Sequence, residues 1–248
     1  MKLILLAAGK GSRIFKNIKT NKCLIKIFGE TLIKNIIKFS NKYVQKIFCI
    51  VGFNKNEIKK TLKNYKINYV YNKHFDSTDM LYSTYLGLKQ INNDDIIICY
   101  TDTFYEKKFI TKICKIKSNN IVVPVSSVWE KMWKIRKKKI KTDAEDIKID
   151  QKNNIIKIGK KITSRYPKFQ YMGVIFIPKK KLPKIKKFMR FCLNEYKKMH
   201  LTNFINFLIE KRIKVKALKN SNNWYEFDDY NDLKNFKKKY EKIDNFNF

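Results

Sequence analysis

Apolar runs of strand length alternate with segments of helical spacing through the first half of the chain. Residues 2–6, 47–51, 67–71, 96–100 and 121–125 are runs of strand length, and each reads as a strand, those at 2–6 and 96–100 as buried ones. Between them, residues 31–41 place Leu32, Ile33, Ile36, Ile37 and Phe39 at the spacing of one helical face. Residues 54–65 open with Asn54 as a helix cap and Glu57 at the capping-box position. Residues 79–90 and 104–117 read as two more helices. This strand–helix rhythm predicts an α/β fold, a mostly parallel mixed sheet flanked by helices, with ligands outside the carboxyl ends of the strands.

The second half is less regular. Residues 145–149 and 154–158 alternate like a hairpin around Asn153-Asn154. A strand is expected over 171–177, a helix over 179–199 with Pro183 near its start, and another over 202–211. Short strands over 213–218 and 224–227 and a closing helix over 229–240 complete the pattern. With no linker rich in Pro, Gly or Ser and no internal repeat, the chain reads as one domain. Its two parts are residues 1–125 and residues 126–248.

The 248 residues allow a sizeable core, and 44% hydrophobic content argues for a folded chain. The formal net charge is +35. Such a charge suits a polyanionic partner, nucleic acid included. However, the lysines are spread along the whole chain, and Lys, Asn, Ile, Phe and Tyr are all abundant, as AT-rich coding produces. Five cysteines without a C-x-x-C pair point to reduced, cytoplasmic usage rather than a disulfide framework. The apolar start is too short for a signal peptide, and no stretch is long enough to span a membrane. His74 and His200 are the only histidines, which excludes a multi-histidine metal site.

The first strand candidate runs into Leu6-Ala7-Ala8-Gly9-Lys10-Gly11-Ser12-Arg13. Two glycines let backbone N–H groups approach a phosphate chain, while Lys10 and Arg13 neutralise it. It is neither a Walker loop nor a dinucleotide fingerprint, since the spacing of the first and the third glycine of the second are missing. The stretch resembles the signature of nucleotidyltransferases that make activated sugars and CDP-alcohols. Phosphocholine and 2-aminoethylphosphonate cytidylyltransferases are the nearest members.

That resemblance implies a Rossmann-like nucleotidyltransferase fold and a set of site residues. Lys10, Arg13 and Lys22 are the implied catalytic cations. Lys22 lies in Asn21-Lys22-Cys23-Leu24, which resembles a Pro-Lys-x-Leu motif in which Asn21 replaces proline and is expected to loosen the loop. The nucleotide would lie against Leu6, Ala7, Ala8, Gly9, Gly11 and Ser12, with Asn72, Thr78, Asp79 and Ser83 near base and ribose. The 78–83 stretch also reads as an ordinary helix cap at Thr78. Asp102, delivered by the 96–100 strand, would hold Mg²⁺ with Glu226 and Asp228, which strand alternation places on one face. Glu145 would meet an acceptor ammonium and Lys160 an acceptor phosphate. Trp129, Trp133, Tyr171, Trp224 and Tyr225 would form a cage for a choline-like cation, or serve as core.

The implied activity is Mg²⁺-dependent transfer of CMP from CTP to a small phosphate or phosphonate acceptor, with pyrophosphate leaving. A sugar-1-phosphate nucleotidyltransferase using another triphosphate is the alternative within the fold, and a basic nucleic-acid-binding protein the alternative outside it. Ordered acids at 102, 226 and 228 argue against nucleic acid. A role in cell-surface glycan or lipid modification fits the resemblance, and a homodimer is left open.

Overall fold

The computed structural model describes residues 1–139, 143–162, 167–196 and 198–240, the side chains of Lys160 and Lys161 excepted. In chain order the strands are β1 (Lys2–Ala7), β2 (Lys26–Ile27), β3 (Glu30–Thr31), β4 (Lys46–Val51), β5 (Ile67–Tyr71), β6 (Ile96–Tyr100), β7 (Thr103–Tyr105) and β8 (Ile121–Ser126). They continue as β9 (Glu145–Ile149), β10 (Ile155–Lys161), β11 (Gln170–Tyr171), β12 (Val174–Ile177), β13 (Val215–Asn220) and β14 (Trp224–Glu226). The helices are α1 (Ser12–Ile18), α2 (Leu32–Ser40), α3 (Lys55–Thr61), α4 (Met80–Lys89), α5 (Lys107–Cys114), α6 (Trp129–Arg136), α7 (Leu182–Glu195), α8 (Leu201–Glu210) and α9 (Tyr230–Tyr240).

The described residues form an eight-stranded sheet in the order β11-β8-β12-β6-β1-β4-β5, with β13 beside β8. β1 pairs in parallel with β4 and β6, and β4 in parallel with β5. β12 is antiparallel to β6 and joins the second half of the chain to the same sheet. The core strands earn their burial through apolar runs: Leu3, Ile4, Leu5, Ile47, Cys49, Ile50, Ile96, Ile97 and Ile98 are all buried. Helices on both faces cover them, as α2 shows. Leu32, Ile33, Ile36 and Ile37 form its buried stripe, and Thr31 Oγ1 caps it by accepting from Lys34 N at 3.4 Å.

Four local expectations are corrected. Phe104 and Tyr105 are not helical; they sit in β7, antiparallel to β14, with Phe104 opposite Tyr225. Burying both aromatics in the core outweighs helix continuation, and α5 begins only at Lys107. Asn54 adopts φ +51° and makes no side-chain cap to the backbone; its Nδ2 donates to Glu57 Oε2 at 3.2 Å, and α3 ends at Thr61. The 171–177 strand is broken by Gly173 at φ +71°, where a Cβ would lie 2.9 Å from the Tyr105 hydroxyl. The break lets Tyr171 pair with β8 while Val174–Ile177 pairs with β6. The 179–199 helix is a 3₁₀ turn followed by α7, which ends at Glu195. Helices α1 and α6 had no counterpart in the sequence pattern; α1 buries only Ile14 and is too short to show a stripe.

Among the described residues, no helix is long and apolar enough to cross a membrane.

Candidate active site

β1 and β6 end side by side, and their ends open into a cavity of about 210 Å³. Thr101 Oγ1 donates to Leu6 O at 2.7 Å and ties the two ends together. Of the residues expected on the nucleotide side, Leu6, Ala7, Ala8, Gly9, Gly11, Lys22, Thr78, Asp79, Ser83 and Asp102 line this cavity. Gly11 stands at φ +58°, and a Cβ there would come within 2.6 Å of Lys22 Cγ. Glycine at this position therefore both makes the turn and leaves room for the lysine. Lys10 and Ser12 are exposed beside the loop, Lys10 with its Nζ 5.7 Å from the Phe53 ring centroid.

The expected looseness of the loop around Lys22 is corrected. Asn21 is buried, its Nδ2 donates to Gly9 O (3.3 Å) and Phe53 O (3.2 Å), and its Oδ1 accepts from Cys23 N (3.2 Å). Three hydrogen bonds thus fasten the glycine loop, the Lys22 segment and the end of β4 to one side chain.

Asn72 is also buried and stays behind the cavity wall. It donates to Thr78 Oγ1 (3.2 Å) and Ser83 Oγ (3.0 Å) and accepts from His74 N (2.9 Å), so it shapes the wall without lining it. Asp79, not Thr78, caps α4: its Oδ1 accepts from Met80 N at 2.6 Å. The other oxygen lies 3.1 Å from His200 Nδ1.

Lys22 occupies the centre of the arrangement. Its Nζ lies 3.4 Å from Asp102 Oδ2 and 3.4 Å from Asp228 Oδ1. Burial works against its charge, but the two carboxylates prevail and hold its pKa above the ordinary lysine value. Phe227 N donates to Asp102 O at 3.1 Å, which brings the 226–228 segment alongside β6. Asp228 also meets Arg13 Nη2 at 3.3 Å and Arg136 Nη2 at 2.7 Å. Burial would raise its pKa; Lys22, Arg136 and Arg13 together lower it to about 2.

The three expected metal carboxylates are not assembled as one cluster: among the described residues no group of three acidic, histidine or cysteine side chains converges on a point. Glu226 turns instead to Arg136 Nη1 at 3.4 Å. Arg136, fully buried, also binds Asp232 Oδ1 through Nε at 3.1 Å. The sequence reading did not single it out. The available signal was composition: arginine is rare in this lysine-rich chain, and a buried multi-carboxylate hub calls for a guanidinium fork rather than an ammonium.

A second cavity of about 170 Å³ adjoins the first, sharing Met80 and Tyr100. Glu145, Tyr171, Trp133 and Glu226, all named from the sequence, line it with Asp143, Gln170, His200 and Thr202. Glu145 accepts from Thr202 Oγ1 at 2.9 Å, and burial pushes its pKa up against that hydrogen bond and the nearby His200. The aromatic cage is corrected. Trp129, Trp224 and Tyr225 are core residues away from the cavity; the Trp129 indole donates to Pro167 O at 3.1 Å, and the Tyr225 hydroxyl to Asp232 O at 2.9 Å. Trp224 stacks on Trp133 of α6 and Tyr225 meets Phe236 of α9, so β14 is buried between the two helices. The side chain of Lys160 lies outside the described residues.

A family model described as the MobA-like NTP transferase domain matches residues 3–163, and the chain belongs to this family of nucleotidyltransferases. The CTP:phosphoglutamine cytidylyltransferase of Campylobacter jejuni is 28% identical over 250 residues, covering 94% of this chain and 98% of that protein. The choline-phosphate cytidylyltransferase of Streptococcus pneumoniae is 31% identical over 99 residues, covering 39% of this chain and 43% of that one. Among solved structures, the S. pneumoniae CTP:phosphocholine cytidylyltransferase LicC matches with a TM-score of 0.75 at 20% identity, over 96% of this chain and 97% of that chain. The inositol-1-phosphate CTP transferase of T. maritima matches at 0.74 and 18%, over 93% and 90%. At these identities the structural likeness establishes the fold, a Rossmann-like mixed sheet flanked by helices.

Proposed function

We propose that this nucleotidyltransferase moves CMP from CTP onto a small phosphate or phosphonate carrying a nitrogenous tail, and releases pyrophosphate. The observation that carries the reading is the junction of the two cavities. The two cavities share Met80 and Tyr100; Lys22 and Asp102 line the first, where Asp228 also reaches Lys22, and Glu145 lines the second, so a triphosphate in one and an acceptor in the other would lie side by side. The near full-length relative named for CTP and phosphoglutamine supports the nucleotide and the acceptor class. Phosphocholine and 2-aminoethylphosphonate belong to the same class. On this reading the chain works as a single domain, cytoplasmic, with residues 1–125 holding the nucleotide and the remainder the acceptor.

An acceptor phosphate oxygen attacks the α-phosphorus, the bond from that phosphorus to the bridging oxygen breaks, and pyrophosphate departs with the electron pair. The acceptor is already an anion near neutral pH, so no side chain needs to remove a proton. Catalysis then rests on alignment and charge neutralisation. The glycine loop offers backbone to the triphosphate, Lys10 and Arg13 balance the leaving phosphates, and Lys22 faces the α-phosphate. Thr78, Asp79 and Ser83 shape the wall for base and ribose. Glu145 offers a carboxylate to the ammonium of the acceptor.

The residues fit a magnesium ion. Oxygens of Asp102 and Asp228 converge on one positive atom, Lys22 Nζ, and carboxylates with phosphate oxygens are the donors Mg²⁺ takes. Asp102 and Asp228 would hold it, with Glu226 adjacent but paired to Arg136. When bound, the ion supplies a Lewis acid that neutralises developing charge on phosphate oxygens.

The test is pyrophosphate release with each of CTP, UTP, GTP and dTTP in the presence of Mg²⁺, against phosphocholine, 2-aminoethylphosphonate, phosphoglutamine and a sugar 1-phosphate. The fastest turnover is expected with CTP and a nitrogenous acceptor. Faster turnover with another triphosphate and the sugar phosphate would overturn the reading.

A further inference from the structure

The two cavities meet at an exposed side chain that the mechanism above does not use. His200 lines the second cavity, and its Nδ1 lies 3.1 Å from Asp79 Oδ2. Asp79 belongs to the wall of the first cavity, and Met80, the next residue, lines both. His200 therefore stands at the boundary between the two. The other Asp79 oxygen is already in use, capping α4 through Met80 N at 2.6 Å. The His200 side chain is 65% exposed, and a pair so open to water adds little to stability. What the pair does is orient the ring. One nitrogen is held by a carboxylate, and Nε2 has no partner among the described residues.

The charges around the second cavity point the same way. Asp143, Glu145 and Glu226 supply it with carboxylates, and among its described lining residues His200 is the one group able to carry positive charge. Arg136 pairs with Asp143 and Glu226, but its side chain is fully buried and bound also to Asp228 and Asp232. The acceptor class proposed above has an ammonium at one end and a phosphate or phosphonate at the other, so its two ends need opposite partners. Glu145 suits the ammonium. His200 suits the anion, since Lys22 and Asp102 line the cavity across the boundary on which it stands. A doubly protonated imidazole donates from both nitrogens, so one ring can join Asp79 to an anionic oxygen.

We infer that His200 is an acceptor-binding residue: oriented by Asp79 through Nδ1, its imidazolium donates a hydrogen bond from Nε2 to the phosphate or phosphonate group of the acceptor and positions that group for attack. This rests on the cytidylyl-transfer reading above and assigns a residue to the reacting end of the acceptor. One oxygen of the group takes the hydrogen bond and another attacks, so no bond to His200 forms or breaks in the transfer.

His200→Ala tests the contact on a side chain exposed enough to be replaced without loss of core packing. The acceptor used is whichever of phosphocholine, 2-aminoethylphosphonate and phosphoglutamine the wild-type enzyme turns over fastest with CTP. In the variant the KM for that acceptor should rise about 10- to 100-fold, the scale of a hydrogen bond to a charged group. The KM for CTP should stay nearly unchanged. The chain has two histidines, so the imidazole C–H region of a proton NMR spectrum is simple, and His200→Ala identifies the His200 signals. In the wild-type enzyme with CMP, a nucleotide that has no pyrophosphate to lose, those signals should move on addition of the acceptor. They should stay in place with its counterpart lacking the phosphorus group: choline, ethylamine or glutamine. This readout does not require the variant to be active. An unchanged acceptor KM in His200→Ala, an equal rise in both KM values, or His200 signals that respond alike to acceptor and counterpart would overturn the inference while leaving cytidylyl transfer standing. Absence of transfer by the wild-type enzyme to every acceptor would overturn both.

Discussion

On the side of the cleft proposed for the nucleotide, the glycine loop and its neighbours are braced by buried side chains that are themselves satisfied. Asn21 and Asn72 each make three hydrogen bonds, and Thr101 links β1 to β6. The acceptor side is assembled from side chains on β9, β11, β14, α6 and α8. Among the described residues, the buried side-chain polar atoms without partners all lie in the second half; Trp133 Nε1 and Tyr171 Oη belong to residues of the second cavity, while Trp224 Nε1 and Asn220 Oδ1 lie away from it. On the proposed reading the contrast suits the ligands, a triphosphate against the glycine loop and an acceptor tail against the side chains of the second cavity.

The sharpest way to break the comparison is at Lys22, the junction where Asp102 of the first half and Asp228 of the second meet one ammonium. Asp102→Ala should lower pyrophosphate release from CTP by about 10³-fold, the scale of removing one preorganised charge from a transfer site. Its circular dichroism should match the wild type, since this side chain is 34% exposed and holds no core packing. Full activity in that variant would remove the junction from the mechanism.

A smaller effect tests the cradle alone. Asn21→Ala leaves Gly9 O, Phe53 O and Cys23 N without their partner and should destabilise the protein by about 2–3 kcal/mol in urea unfolding. It should also raise the KM for CTP more than that for the acceptor. An equal rise in both would mean that the two halves are not built independently.

The smallest effect concerns pH. The folded protein holds Asp228 at about 2, below its ordinary value of 3.8. A carboxyl depressed on folding adds stability that is fully present above the ordinary value and is lost as pH falls through the folded one. Wild type should therefore exceed Asp228→Asn in unfolding free energy by on the order of 2 kcal/mol at about pH 5. That margin should close between about pH 4 and pH 2. A margin independent of pH would show that Asp228 is not held by Lys22, Arg136 and Arg13.

The same contrast explains what the sequence revealed. The nucleotide half was legible because its devices are local: apolar runs announce β1, β4, β5, β6 and β8, and Gly9, Gly11 and Lys22 fall within seventeen residues of Leu6. Acid positions were legible too, since strand ends deliver Asp102 and Asp228. The hub that holds Asp228 and Glu226 was not, because Arg136 lies 90 residues or more from these two carboxylates and no spacing links them. Strand β7 was hidden for a similar reason, its partner β14 lying over a hundred residues away in the chain. The aromatic residues misled, since type alone does not distinguish Trp133, at the cavity, from Trp129 and Trp224, in the core.

The most direct measurement is ³¹P NMR of the enzyme with CTP, Mg²⁺ and phosphoglutamine or O-phosphoserine. The account predicts that the triphosphate signals decay as free pyrophosphate and a new diphosphate linkage, joining CMP to the acceptor, grow in equal amounts. Triphosphate signals that persist, or that give CMP and pyrophosphate with no new linkage, would contradict it.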